Sequence, residues 1–167
     1  MVEVSISLVK DGSEEVATQT KRVIQVNSCD KEIARIALNV KNPMLWDAEN
    51  PNLYQVKVQA KNLGVYRTHL VKDDNATVDE AVTLFGIRTI TADSVRGLRI
   101  NGKEAKLKGG CVHHDNGLLG AVSLYESEAR KVRKLKEVGF NAIRTAHNPP
   151  SAALIEACDR EGMYVFD

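Results

Sequence analysis

Ser123-Leu124-Tyr125-Glu126-Ser127-Glu128-Ala129-Arg130-Lys131-Val132-Arg133-Lys134-Leu135-Lys136-Glu137-Val138-Gly139-Phe140-Asn141-Ala142-Ile143-Arg144-Thr145-Ala146 decides the fold. Ser123, with Glu126 three residues on, reads as a helix N-cap and capping box, in which hydroxyl and carboxylate each satisfy a free amide of the first turn. Ala129, Val132, Leu135 and Val138 form an apolar stripe at helical spacing between charged residues, and Gly139 supplies the C-terminal stop. After the stop, Asn141–Ala146 reads as a strand.

Outward from this stretch the same two elements recur. Upstream, Leu107–Val112 reads as a strand. Downstream, a helix starts at Ser151, runs through Leu154, Ile155 and Cys158 to Gly162, and leads into a strand at Met163–Phe166. Strand–helix–strand–helix–strand with short connections means parallel strands joined by right-handed crossovers. That order fits the opening of a (β/α)8 barrel or part of a doubly wound sheet. Gly109-Gly110 precedes no helix with G-x-G-x-x-G or Walker spacing, so a nucleotide site is not expected. Before the first of these strands, Leu98–Ile100 and Ala105–Leu107 flank Asn101-Gly102, a type I′ hairpin signal because both central positions need positive φ.

Up to about residue 90 the pattern is different. Val2, Val4, Ile6 and Leu8 alternate with polar residues, and the Lys10–Ser13 segment, with Asp11-Gly12, reads as a turn. Further strands are expected at Lys21–Val26, Ala34–Val40, Tyr54–Ala60, Val65–Leu70 and Val82–Ile87. Short strands at this spacing, without a helical period, suggest an antiparallel β-sandwich. No internal repeat or low-complexity tract is present.

The 167 residues are 43% hydrophobic and 27% charged with a net charge of +1, the balance of a water-soluble globular protein. A near-neutral chain gives no reason to expect nucleic acid or an anionic membrane as partner. No apolar run approaches the ~20 residues that span a bilayer, and the N-terminus starts in strand-like alternation rather than as a signal peptide. Cys29, Cys111 and Cys158 lie too far apart for a CxxC motif, and all three are expected as buried free thiols. Glu126, Glu128, Glu137 and Glu156 are expected to be solvated on polar helix faces. No spacing suits zinc, although His113-His114-Asp115 with His147 invites the comparison.

Several segments carry a family likeness when taken in order. They are Leu45-Trp46 with Asn50-Pro51-Asn52-Leu53-Tyr54; Phe85-Gly86-Ile87-Arg88; Asn101-Gly102-Lys103 with Leu107-Lys108-Gly109; His113; Gly139 through Pro149; and Cys158-Asp159-Arg160-Glu161-Gly162 with the strand after it. Over about residues 40–167 the chain resembles family 2 glycoside hydrolases, the β-galactosidase and β-glucuronidase family, as an internal fragment.

The resemblance implies a fold: an immunoglobulin-like β-sandwich over residues 1–90, lacking its first strand, followed by α/β structure over 91–167, the first three strands of a truncated (β/α)8 TIM barrel. It also implies a reaction. Members hydrolyse β-glycosides with retention, using two carboxyl groups about 5–5.5 Å apart. In the family these glutamates sit on later barrel strands, so no catalytic residue is expected here and the chain alone is expected to be inactive. What the resemblance leaves is a set of accessory residues at the C-terminal strand ends, where such barrels place their active sites. His113 and His147 would bind sugar hydroxyls together with Asn148. Arg144 would keep the nucleophile ionised. His114 and Asp115 stay ambiguous, and Cys111 is expected to be packed within its strand.

Galactosides are the first substrate expectation, with glucuronides and mannosides behind. The partner is then carbohydrate, with no cofactor and no metal, and self-association through the exposed barrel edge as homo-oligomer. Localisation stays open between cytoplasm and periplasm. Two rival readings are a non-catalytic sandwich module for carbohydrate or protein binding and a complete small α/β domain of other function.

Overall fold

The alternating apolar residues of the first half build one antiparallel sheet. In the computed structural model, which describes residues 1–27, 30–63 and 78–167, β1 (Val2–Lys10) turns at Asp11-Gly12 into β2 (Val16–Ile24) and also pairs along its whole length with β3 (Tyr54–Asn62). Strand β4 (Val78–Phe85) adds to β3, giving the order β2-β1-β3-β4. Residues of β1 thus have neighbours on both sides, and Leu8 and Val9 are buried with Tyr54.

The expected strand at Ala34–Val40 forms no ladder among the described residues. Its alternation is nevertheless visible as burial, since Ile36, Leu38 and Val40 are half-buried and Arg35, Ala37 and Asn39 exposed. Period-two patterning sets which side chains turn inward, whereas a ladder also needs a free strand edge at the right register. The expected strand at Val65–Leu70 and the expected buried thiol of Cys29 lie outside the described residues.

Contacts divide the chain into two compact units. One comprises Met1–Pro43 and Tyr54–Phe85, the other Met44–Leu53 and Gly86–Asp167. The second opens with β5 (Ile90–Asp93), β6 (Gly97–Ile100) and β7 (Lys103–Glu104) in an antiparallel sheet. Asn101 and Gly102 carry φ of 53° and 76°, the type I′ requirement. A two-residue turn places Lys103 opposite Ile100, so the return strand starts earlier than the expected Ala105–Leu107.

The remaining elements are β8 (Gly109–Val112), α1 (Tyr125–Glu137), β9 (Ala142–Thr145), α2 (Ala152–Glu161) and β10 (Tyr164–Phe166). The three strands are parallel, in the order β10-β9-β8. The fold class is therefore a sandwich-type sheet followed by the first three strands of a (β/α)8 barrel, which do not close. Ala129, Val132, Ile143, Leu154, Ala157, Cys158 and Met163 form the core between helices and sheet, with Val112 and Val165 against it. Among the described residues no helix is long and apolar enough to cross a membrane.

Two expectations about α1 are corrected. Leu124, not Ser123, occupies the N-cap, without a side-chain bond, because the Ser123 hydroxyl is engaged by Glu128. Val138 is 72% exposed, because the helix ends at Glu137 and the fourth residue of the stripe falls beyond the last turn. Helix α2 does follow its sequence signals: Ser151 accepts the Leu154 amide and Gly162 closes the helix in the left-handed conformation.

Met44–Leu53 is tied into the second unit through Trp46. Its ring is 1% exposed, lies edge-on to Tyr164 at 5.6 Å, and has the Arg88 guanidinium 4.5 Å above it. The indole N–H donates to the Asp159 carbonyl at 2.8 Å, and Asn101 donates to the Trp46 carbonyl at 3.1 Å. Lys136 bridges the carbonyls of Ala48, in the middle of this segment, and Glu161, at the end of α2.

Trp46→Phe keeps most of the packing but leaves the Asp159 carbonyl without its donor, so we expect a loss of roughly 1–3 kcal/mol. Leu45→Ala, next to it but 38% exposed, should stay within about 0.5 kcal/mol. Trp46 is the one tryptophan of the chain, so urea unfolding followed by circular dichroism rather than fluorescence makes the comparison. Equal losses at the two positions would contradict this role for Trp46.

Candidate functional site

Strand parity determines what faces away from the helices. Gly110, Ile143 and Val165 are in register across the sheet, and Ile143 and Val165 pack into the helix-side core. The next row, Cys111, Arg144 and Phe166, therefore faces the opposite side, because successive side chains in a strand alternate. All three of these residues are exposed. The expectation that Cys111 is packed is thereby corrected. The helices cover only one face of the sheet, and Cys111 is on the other.

The Arg144 guanidinium reaches across to Cys111, with Nη1 at 3.8 Å from Sγ. His113 directly follows β8, and His147 lies two residues beyond β9. Their ring centroids are 6.1 Å apart with the planes at 67°, an edge-to-face approach, and both are exposed. The Ala146–His147 peptide is cis. The ladder continues between the two ends, since the Ala146 amide donates to the Val112 carbonyl at 3.0 Å. Thr145 donates its hydroxyl to Asp167 at 2.5 Å, which ties the end of β9 to the end of β10.

The structure thus brings His113 and His147 together at the C-terminal ends of β8 and β9, with Arg144 one row back on the sheet face turned away from the helices. Asn148, beside His147, is exposed and makes no side-chain hydrogen bond among the described residues, and His114 and Asp115 are exposed on the loop after His113. A neutral imidazole offers one donor and one acceptor. Two of them at this spacing suit a small polyhydroxylated ligand. Among the described residues no group of three or more His, Cys, Asp or Glu side chains is placed to hold a metal ion.

Glu128 does not behave as expected from the sequence. It is 1% exposed rather than solvated. Its carboxylate accepts from Asn116 at 2.9 Å, from Ser123 at 2.7 Å and from Lys131 at 2.9 Å. Burial pushes its pKa up, but these three hydrogen bonds and the Lys131 charge outweigh burial and hold it below the usual value. A charged residue in a helix sequence carries no sign of burial when two of its three partners come from the preceding loop. Asn141 was likewise missed. Its side chain donates to the Lys106 carbonyl at 2.9 Å and accepts the Lys108 amide at 2.7 Å, fixing the entry into β8.

Comparison with known proteins gives one family for both parts of the chain. Residues 1–88 match the profile Glycosyl hydrolases family 2, and residues 93–167 match Glycosyl hydrolases family 2, TIM barrel domain. A β-galactosidase of Bacteroides ovatus is 38% identical over 130 residues, covering 78% of this chain and 14% of that protein. The crystal structure of a glycosyl hydrolase family 2 member from Bacteroides cellulosilyticus has a TM-score of 0.87 at 40% identity, covering 99% of this chain and 21% of that one. A Bacteroides uniformis β-glucuronidase gives 0.78 at 29% identity, covering 98% and 18%. The chain spans only these small shares, 14% to 21%, of the relatives' own lengths.

The two described cysteines should differ in reactivity. Cys111 is exposed, whereas burial, with the neighbouring charge of Asp159, pushes the Cys158 thiol up to about 12. About one Cys158 in ten thousand is then thiolate at pH 8, and the thiolate is the reacting form. Iodoacetamide at that pH should label Cys111 in the native chain and Cys158 only after unfolding, read by peptide mass spectrometry. Native labelling of Cys158 at the rate of Cys111 would show that the helix-side core is open.

Proposed function

From a chain that belongs to glycosyl hydrolases family 2, we propose that it forms one wall of the sugar-binding site of a retaining β-glycosidase. In this reading residues 1–90 are the sandwich domain and residues 91–167 the opening of the catalytic barrel. β-Galactosides are the first substrate class, with β-glucuronides and β-mannosides behind. The β-galactosidase and β-glucuronidase among the relatives support that order of preference.

His113 and His147 hydrogen-bond hydroxyls of the sugar whose glycosidic bond is cleaved, and Asn148 lines the same subsite. Arg144, one row back on β9, keeps the nucleophilic carboxylate ionised, because a nearby positive charge lowers a carboxyl pKa. The nucleophile and the acid/base are two carboxyl groups about 5–5.5 Å apart, and we assign neither to this chain. The carbohydrate is the partner, and β8 and β10, as the edges of the three-stranded sheet, are where a second copy of the isolated chain would add.

The observation that carries the reading is the 6.1 Å approach of the His113 and His147 rings at the ends of neighbouring parallel strands. Active sites of (β/α)8 barrels occupy that end. In the full-length enzyme, His113→Ala and His147→Ala should each lower kcat/KM for nitrophenyl β-galactoside by roughly a hundredfold, equivalent to about 2.7 kcal/mol of lost transition-state hydrogen bonding. A substrate lacking the contacted hydroxyl should be hydrolysed equally by variant and parent. The chain alone should not exceed the uncatalysed rate, since it offers no positioned nucleophile. Unchanged kcat/KM in both histidine variants, or turnover by the isolated chain that disappears with His113→Ala, would contradict the proposal.

A further inference from the structure

We propose that Glu128 is a positioning residue, whose buried carboxylate holds the two loops bearing His113 and His147 at their mutual distance through a directional hydrogen-bond chain. The inference rests on the reading of those histidines as sugar-binding groups, but its geometry stands on its own.

Proton accounting sets the direction of the chain. An ionised carboxylate only accepts, so Ser123 must spend its single hydroxyl proton on Glu128 Oε1, at 2.7 Å. The Ser123 and Ser151 hydroxyls are 2.5 Å apart. With Ser123's proton committed, Ser151 is the donor in that contact. Ser151 Oγ keeps its lone pairs for the Leu154 amide, which it accepts at 3.0 Å as the cap of α2. The order is thus Leu154 N–H to Ser151, Ser151 O–H to Ser123, Ser123 O–H to Glu128.

Each member sits at a decisive place. Ser123 ends the loop that begins at His113, and Ser151 ends the loop that contains His147 and Asn148. Asn116, three residues past His113, closes the other side. Its Nδ2 donates both to Glu128 Oε1 at 2.9 Å and to the Val122 carbonyl at 3.0 Å, while its amide donates to the Gly120 carbonyl at 2.8 Å. Lys131, one turn along α1, takes the remaining oxygen at 2.9 Å. One carboxylate therefore binds the start and end of the first loop, and reaches the end of the second through one hydroxyl.

Packing alone does not account for this. An aliphatic side chain of similar volume would fill the space without the desolvation cost of a buried charge. What an aliphatic side chain cannot supply is a fixed acceptor for two donors from one loop. A capping role for α1 does not account for it either, because the Glu128 side chain accepts no backbone amide of that helix among its hydrogen bonds.

The test uses the isotopically labelled chain and reads histidine geometry rather than hydrolysis. Ser123→Ala removes the bridging hydroxyl while leaving the carboxylate with Asn116 and Lys131. Ser123→Thr restores the hydroxyl, and Glu128→Leu removes the acceptor that both loop donors share. For Ser123→Ala and Glu128→Leu we expect the nuclear Overhauser contact between the His113 and His147 rings to be lost. Amide exchange at Asn116, Gly120 and Val122 should rise at least about tenfold, as for a loop released from local protection. Exchange of the β9 and α2 amides should stay as in the parent, and Ser123→Thr should retain the ring contact.

The inference is overturned if the ring contact and loop exchange survive in Ser123→Ala and Glu128→Leu. It is equally overturned if protection falls uniformly through β9 and α2, since Glu128 would then support the whole unit. Neither outcome depends on glycosidase activity. If the histidine variants of the full-length enzyme prove kinetically silent while the ring contact still depends on Ser123, the positioning role holds and only the sugar-binding reading fails.

Discussion

Parallel pairing of β8 with β9 is the constraint from which the site follows. Register Cys111↔Arg144 and Val112↔Thr145 places the two strand ends side by side, so whatever follows each strand must share a small volume. The pairing is unusually close at its start. A Cβ on Gly109 would lie 1.7 Å from the Ala142 carbonyl oxygen, so any other residue there would push β8 off β9. Asn141 then clamps the chain entering β8 by taking one amide and giving one N–H to it. A change at either position would act on the histidines without touching them.

The two faces of this sheet divide the labour. Val112, Ile143 and Val165 pack against α1 and α2, and that apolar burial makes the strands rigid. Cys111, Arg144 and Phe166 occupy the other face, where no apolar core forces their identity. Polar groups carried on a rigid element are held in a fixed geometry. Trp46 and Lys136 secure the C-terminal end of α2 in the same unit through the carbonyls of Asp159 and Glu161.

Much of the second unit was legible in the sequence because its signals are local. Asn101-Gly102 needs nothing beyond its own backbone to turn, Ser151 caps the helix it begins, and the stripe Ala129–Val132–Leu135 requires only the helical period. The misreadings share a cause. Ser123 and Ser151 look alike as cap candidates, and only the presence of Glu128 diverts the first. Ala34–Val40 alternates correctly but finds no ladder partner among the described residues, and the exposure of Cys111 depends on which face the helices cover. The approach of His113 to His147 was readable only through the family resemblance, since residues so far apart in sequence meet solely because two strands pair.

Whether His113 and His147 bind one sugar ring would be seen in a crystal structure of the full-length enzyme carrying a trapped glycosyl group. A nitrogen of each imidazole should lie within about 3.2 Å of a hydroxyl of that sugar, with the Arg144 guanidinium beside the carboxylate that bears it. A trapped sugar at the C-terminal strand ends with neither imidazole in hydrogen-bond reach would contradict that reading.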